Sequence, residues 1–424
     1  MTLPTDKTPW YVKGKWNISP LSWSREVRST MPNLPKRVYI RDSTLREGEE
    51  TTGCAFSMKD QIKIAQRLAD IGVVETDVGY PIRNPFQMEL LKALKKEGVD
   101  LGYYTIIPIM PIDVDWKKNI DVCVKAGGEN LTIKLTALSA GPTGNVFTKE
   151  AWARALEAIE YCKKEHSRNT VAIGPMSSTL NLELFTYLRW CDDCVKAGVD
   201  EIEYIDSRGV GLPVTVKYVV NEIKKVIGEI PIGLHMHNDF GLAVANSLAG
   251  VEGGASWVQT TVNGLGDRAG NASFEEVVAA LEIHYGVDTG IDMSKLYELS
   301  KFVEKVGRVK CQPHKAIVGD NAWLEESHAF IVLNSRKTGD WGTSEAYSPS
   351  LVGQEHKIAF GKTALRPEAI KMKLDEVGVK YTENDVLKIR ESTEKEIEAK
   401  ISRDERSYLT EDEFVEFAKK IIKS

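Results

Sequence analysis

Cysteine is scarce in these 424 residues. The six present, Cys54, Cys123, Cys162, Cys191, Cys194 and Cys311, are too few and too irregularly spaced for a secreted disulfide framework, so reduced thiols are expected. Only Cys191 and Cys194 form a C-x-x-C. They fall in Leu184 to Ala197, a stretch of helical periodicity with no second cysteine pair to complete a zinc site. Long apolar runs are absent as well. None approaches the ~18 residues of a membrane helix, and Met1 to Lys15 are polar and lack the apolar core of a secretory leader, which points to a cytoplasmic protein. Nor is positive charge in excess: 55 Lys and Arg against 61 Asp and Glu leave a net charge of -6, which provides no footprint for a nucleic-acid backbone. What remains is 42% hydrophobic and 27% charged residues with Gly 33 and Pro 16, a globular composition that excludes collagen-like, coiled-coil and broadly disordered chains. The length exceeds one ordinary core and accommodates a barrel-sized domain with one or two appendages.

From Arg37 to about Gly290, short β-branched runs alternate with longer amphipathic segments. Strands are expected at Val38 to Ile40, Val73 to Val78, Tyr103 to Ile107, Asn130 to Leu135, Thr170 to Ile173, Glu201 to Ile205, Ile232 to His237 and Trp257 to Val262. Helices such as Met58 to Gly72 and Asn84 to Glu97 lie between them. Eight strand-helix repeats over ~250 residues fit a parallel TIM (β/α)8 barrel better than an open sheet. Past Asp292 the alternation lapses into a helix at Lys295 to Gly307, irregular segments, and three charged amphipathic helices between Pro367 and Ser424, read as a solvated cap or an oligomer surface. The fold class is therefore α/β, a barrel followed by smaller, mostly helical subdomains. The organisation expected is an N-terminal arm over 1–36, a catalytic barrel over 37–292, a connecting subdomain over 293–365 and a helical subdomain over 366–424.

Leu234-His235-Met236-His237 ends an expected strand. Residues i and i+2 point to the same face ~6 to 7 Å apart, so both imidazoles can reach one ion; the alternative is a solvent-facing pair. The carboxyl end of a strand is where barrel active sites assemble. Arg41-Asp42-Ser43-Thr44-Leu45-Arg46-Glu47-Gly48-Glu49-Glu50 ends the first strand, and a carboxylate from it would complete a two-imidazole, one-carboxylate set with open positions. A surface salt-bridge network is the other reading of so charged a loop. Asn263-Gly264-Leu265-Gly266-Asp267-Arg268-Ala269-Gly270-Asn271 lacks the spacing of a dinucleotide site, and its glycines suit close backbone approach to a ligand or ion.

At these three places the chain resembles the metal-dependent condensing enzymes that include homocitrate synthase, isopropylmalate synthase and (Re)-type citrate synthase, with hydroxymethylglutaryl-CoA lyase a more distant relative. The motifs D-S-T-L-R-E-G, L-H-M-H-N-D and N-G-L-G-D-R-A-G-N occur in the same order, and the likeness extends to Lys315 to Ala322 and Leu351 to Glu355. The resemblance implies that Glu47, His235, His237 and Asn271 ligate a divalent metal (Mn, Mg, Zn or Co) and that Arg46 holds the keto oxygen. It also implies acetyl-CoA as co-substrate, a 2-oxo acid acceptor, an acyltransferase activity and a homodimer. Glu47 is the homocitrate-synthase form and Asn271 the isopropylmalate-synthase form, so the chain mixes the two patterns. A base must remove a methyl proton of acetyl-CoA. The family histidine that does so corresponds to His328, displaced here by two positions; His328 is either that base or a surface histidine.

Two departures bear on the acceptor. The family's strand-five glutamate is replaced by Gly174 to Thr179, where Ser177, Ser178 and Thr179 offer hydroxyls. Strand six ends Asp206-Ser207-Arg208-Gly209, and Arg208 is either paired with Asp206 or Glu203 or waits for a substrate carboxylate. With Ser207 beside it, and Lys134 and Ser139 at strand four as lesser candidates, these residues favour a dicarboxylic acceptor. Oxaloacetate is preferred because the relatives' strand-three Arg is missing at Ile107 to Met110, giving citrate and CoA. Homocitrate synthase with 2-oxoglutarate follows, then isopropylmalate or citramalate synthase. Other classes are a lyase running in reverse, which would want a cysteine in the loop Asn263 to Asn271, and a non-catalytic metal-holding binding protein.

Overall fold

Eight short strands close on themselves in chain order: β1 (Tyr39–Asp42), β2 (Glu75–Asp77), β3 (Gly102–Pro108), β4 (Asn130–Lys134), β5 (Asn169–Ile173), β6 (Glu201–Asp206), β7 (Ile232–Met236) and β8 (Trp257–Thr260). The computed structural model describes residues 8–109, 114–134, 149–173, 183–327 and 345–423. All barrel pairings are parallel, and β8 returns to β1 with Trp257 opposite Tyr39 and Gln259 opposite Arg41. The expected TIM barrel is formed, each strand lying within a few residues of its sequence-derived position. Its helices are α1 (Met58–Ile71), α2 (Pro85–Glu97), α3 (Trp116–Ala126), α4 (Lys149–Tyr161), α5 (Leu184–Lys196), α6 (Pro213–Ile227), α7 (Ala243–Gly253) and α8 (Phe274–Ala280).

Local chemistry explains the boundaries. Ser57 caps α1 by accepting from the Asp60 amide, and Gly72 ends it at φ 105° in the left-handed region. A Cβ on Gly72 would lie 2.2 Å from the Gly290 carbonyl oxygen, so only glycine lets the chain turn there. Cys191 and Cys194 lie on the buried side of α5 as free thiols, consistent with a packing role.

The barrel interior is layered. At the amino-terminal end of the strands, Tyr39 stacks on Trp257 with ring centroids 5.0 Å apart. Above them Arg41, fully buried, binds Glu75, both oxygens of Glu201 at 2.9 Å and Glu203 at 3.3 Å, with its guanidinium 4.3 Å from the Tyr104 ring centre. Tyr104 donates to Glu203 at 2.7 Å. One guanidinium thus meets three carboxylates, and burial pushes Glu75 up to about 7 despite Arg41. Toward the carboxyl end, Tyr104, Ile106, Val171, Ile173 and Ile205 make an apolar wall on β3, β5 and β6. The polar groups of the candidate site come from β1, β2, β7 and β8.

By packing, the chain separates into two units, one holding Pro20–Cys311 and the other joining the described parts of Met1–Ser19 and Gln312–Ser424. The first 36 residues divide because Asn17 donates to the Ala346 carbonyl at 2.8 Å, whereas Arg28 reaches back to the Tyr285 carbonyl at 3.0 Å. The helix α9 (Leu296–Gly307) belongs with the barrel: Arg67 of α1 sits 4.4 Å from the ring centre of its Phe302. The last three helices, α10 (Pro367–Glu376), α11 (Glu383–Ser402) and α12 (Glu411–Lys423), are more than a solvated cap. They enclose a core of their own around Phe360, Ile370, Leu374, Ile389, Ile397 and Phe414, in which the Phe360 and Phe414 rings stack 3.7 Å apart. Charge density on the exposed faces hides that apolar stripe in the sequence. Among the described residues no helix is long and apolar enough to cross a membrane.

Candidate active site

The barrel brings together residues that lie almost two hundred positions apart. His235 is on β7, His237 directly follows it, Glu47 opens a 3-10 turn after β1, and Asn271 bridges to His237 across the glycine-rich turn after β8. All four are buried. Ligand atoms of Glu47, His235 and His237 lie within 4.8 Å of one another. His235 Nε2 is 3.3 Å from Glu47 Oε1, 3.1 Å from His237 Nε2 and 3.2 Å from Asn271 Nδ2. Two imidazole nitrogens face each other, while Glu47 Oε2, His237 Nδ1 and Asn271 Oδ1 are buried with no hydrogen-bond partner among the described residues. Orphaned acceptors of this kind are costly inside a protein unless something positive satisfies them. Nitrogen and oxygen donors converging in a buried cluster fit a divalent cation such as manganese, magnesium, zinc or cobalt.

Electrostatics agree with that arrangement. Burial would raise the Glu47 carboxyl, but the adjoining Arg46 guanidinium and His235 outweigh it and hold it well below the usual carboxylate range. Burial and the neighbouring His235 lower His237 to about 4, which keeps its imidazole neutral, with one ring nitrogen lone pair available at pH 7. Burial opposes a charge on His235, but the hydrogen bond and the charge of Glu47 together outweigh it and raise His235 above its ordinary value.

Arg46 is more firmly held than its sequence suggested. It contacts Glu47, lies 3.6 Å from Glu50 and binds Asp77 through Nε at 2.9 Å and Nη2 at 2.7 Å. Arg46 also borders a cavity of about 440 Å³ lined further by Glu49, Glu50, Tyr80, Arg83, Asn84 and Gln87. Asp77, which the sequence reading passed over, accepts from Arg46, Ser43 and Gln259 on Oδ2 and from the Gly79 amide on Oδ1. Gln259 in turn meets His235 Nδ1. Both were findable: each occupies an inward position near the carboxyl end of a barrel strand, the same rule that singled out His235.

Lys134 ends β4 on the inward side and is buried. Its ammonium donates to the Tyr80 hydroxyl at 2.8 Å and forms no ion pair among the described residues. Arg208, by contrast, is exposed and pairs with neither expected partner. Asp206 accepts from the backbone amides of Arg208, Val210 and Gly211, and Glu203 is engaged by Arg41 and Tyr104. Ser207 lies beside it and lends its carbonyl to Arg268, which grips Asp239 through two hydrogen bonds. His328, Ser139, Ser177, Ser178 and Thr179 lie outside the described residues.

Fold and site together define a class: a (β/α)8 barrel with a buried two-histidine, Glu and Asn cluster at the carboxyl end of its strands, suited to hold a divalent cation. A family model described as HMGL-like matches residues 37–303, and the chain belongs to that family. It is 39% identical over 354 residues to a 2-isopropylmalate synthase of Methanocaldococcus jannaschii, matching 82% of this chain and 65% of that protein. It is 33% identical to a homocitrate synthase of Methanopyrus kandleri, with 92% and 94% covered. This chain thus spans somewhat less than two thirds of the first relative and nearly all of the second. Among solved structures, a hydroxymethylglutaryl-CoA lyase from Pseudomonas aeruginosa superposes with TM-score 0.55 at 18% identity, covering 66% of this chain and 96% of that one, a likeness of fold.

Proposed function

We propose that this chain is an acyltransferase that joins the acetyl group of acetyl-CoA to a 2-oxo dicarboxylic acid and releases CoA. The acyl-transfer chemistry is supported by the family and by similarity to 2-isopropylmalate and homocitrate synthases. The acceptor class rests on a single observation, Lys134. Among the described residues this buried ammonium meets only a phenol hydroxyl and has no counter-ion of the kind such a charge ordinarily requires. An anion from the substrate satisfies it, and Tyr80 links Lys134 to the cavity that Arg46 borders.

Glu47, His235, His237 and Asn271 would hold the cation, whose contribution when bound is Lewis acidity toward the 2-oxo group. Arg46, fixed in charge and steered by Asp77, hydrogen-bonds the keto oxygen as it gains negative charge. Lys134 and the Tyr80 hydroxyl grip the distal carboxylate, with Ser139, Ser177, Ser178, Thr179, Ser207 and Arg208 as the further acceptor contacts proposed. His328 is the proposed base: it takes the methyl proton, the new carbon-carbon bond forms at the keto carbon, and water then cleaves the thioester to free CoA.

Oxaloacetate, giving citrate, is the acceptor proposed, with 2-oxoglutarate next. Purified chain incubated with acetyl-CoA, manganese and a panel of 2-oxo acids tests this by thiol release. Release is expected with oxaloacetate or 2-oxoglutarate. Release only with 2-oxoisovalerate or pyruvate overturns the dicarboxylate reading.

A further inference from the structure

We infer that Gln259 is a positioning residue for the metal centre: held by Asp77, its carboxamide fixes His235 as the tautomer with its proton on Nδ1, leaving the Nε2 lone pair facing Glu47, His237 and Asn271. This rests on the reading that these residues hold a divalent cation.

Gln259 and His235 are register partners on β8 and β7, so their side chains leave adjacent strands toward the same interior. Gln259 is buried, and its amide has two different ends to satisfy. One end faces Asp77 Oδ2 at 3.4 Å, an oxygen that already accepts from Ser43 at 2.9 Å and from Arg46 Nε at 2.9 Å. With Arg46 bound twice to that oxygen, Asp77 is an acceptor, so the end of Gln259 nearest it must be the NH2 group. A flipped amide would set oxygen against oxygen in a buried space. The carboxamide oxygen is therefore the end that meets His235 Nδ1. An oxygen there can only accept, which requires a proton on Nδ1. A neutral imidazole with its proton on Nδ1 carries its lone pair on Nε2, the nitrogen that points into the cluster.

The same carboxylate thus serves two residues. Asp77 steers Arg46 directly and His235 through Gln259, tying the orientation of the keto-oxygen contact to that of a metal ligand. Partners that fix a ligating histidine from behind typically change metal affinity by about 10–100-fold when removed.

The test reads the tautomer first. Nitrogen-15 NMR of histidine-labelled wild-type chain at pH 8, with His235 assigned from a His235→Asn spectrum, is expected to show a proton on Nδ1; an Nδ1 that carries no proton overturns the inference without any variant. Manganese titrations by calorimetry then compare wild type with Gln259→Leu and Gln259→Glu. Gln259→Leu should mix the tautomers and weaken manganese binding about 10–100-fold, whereas Gln259→Glu keeps an acceptor for Nδ1 and recovers most of the affinity. Unchanged affinity in Gln259→Leu overturns the inference alone. Failure of wild type to bind manganese overturns the metal reading, and this inference with it.

Discussion

Gly266 crowds the Asn271 carboxamide so closely that a Cβ added at Gly266 would fall 2.1 Å from Asn271 Oδ1. The turn cannot give way easily, because Gly266 is pinned to Thr51, whose hydroxyl accepts from its amide at 2.7 Å and donates to its carbonyl at 3.1 Å. Its φ of 151° further disfavours a side chain. Gly266→Ala should therefore push Asn271 out of the cluster while leaving the barrel intact. Manganese affinity by calorimetry is expected to fall at least about tenfold, the scale on which groups around a metal site act, with unchanged far-UV circular dichroism. Wild-type affinity would mean that Asn271 does not serve the ion.

Lys134 separates acceptors by charge. Removing a charge-assisted contact to a distal carboxylate forfeits about 1.5–3 kcal/mol, roughly 10–100-fold in affinity. Lys134→Met keeps the aliphatic stem and removes only the ammonium. KM for oxaloacetate or 2-oxoglutarate should rise by that factor, while turnover of a monocarboxylic acceptor such as pyruvate stays the same or improves. Equal effects on both acceptors would place Lys134 outside acceptor selection.

How much of this was legible in the sequence follows from where each signal resides. The eight strands were readable because β-branched runs recur between amphipathic helices, and Ile232 to His237 fixed both a strand and the pair of imidazoles at its end. Glu47 and Asn271 came from motif resemblance, and the structure brings them to the histidines. What stayed hidden is long-range. Arg41 draws its partners Glu75, Glu201 and Glu203 from three strands, and a run such as Glu201-Ile202-Glu203 has no local mark distinguishing a buried charge layer from a solvated strand face. The link from Asp77 through Gln259 to His235 likewise spans β2, β8 and β7. Arg208 was expected either to pair with Asp206 or Glu203 or to wait for a substrate carboxylate; in the structure it is exposed, and Asp206 is occupied by the turn's own amides.

Arg46 distinguishes a catalyst from a binding protein. Donors aimed at a developing oxyanion contribute about 10²–10³ in rate when lost singly. Arg46→Ala should lower kcat by that range. Manganese binding should persist, because Glu47, His235, His237 and Asn271 remain. Undiminished thiol release would remove Arg46 from the chemistry.

The family resemblance leads to an expected homodimer, and the barrel unit offers apolar surface for one. Phe185, Leu212, Val214, Tyr218 and Phe240 are strongly exposed near the starts of α5, α6 and α7. Light scattering of the purified chain should give twice the monomer mass, and Val214→Glu with Tyr218→Glu should halve it. A monomer in dilute wild-type solution contradicts this.

The charge layer below the site makes stability depend on pH. Burial raises Glu75 from 4.5 to about 7, and it raises Asp42 from 3.8 to about 7 even though both Asp42 oxygens accept from Thr44. A carboxyl with a raised folded-state pKa binds more protons folded than unfolded. Its contribution is complete below the unfolded value and is lost as pH rises through about 7. For Glu75 the loss between pH 4.5 and pH 8 is on the order of 1–3 kcal/mol. Glu47 acts in the opposite sense, its stabilisation being lost as pH falls below the ordinary carboxylate range, so the urea midpoint followed by tryptophan fluorescence should peak in mildly acidic solution and decline by pH 8. Glu75→Gln keeps an acceptor for Arg41 without the titrating proton. It should reduce the decline between pH 5.5 and pH 8 to the part that Asp42 supplies, whereas a variant as pH-sensitive as wild type would show that Glu75 is ionised throughout that range.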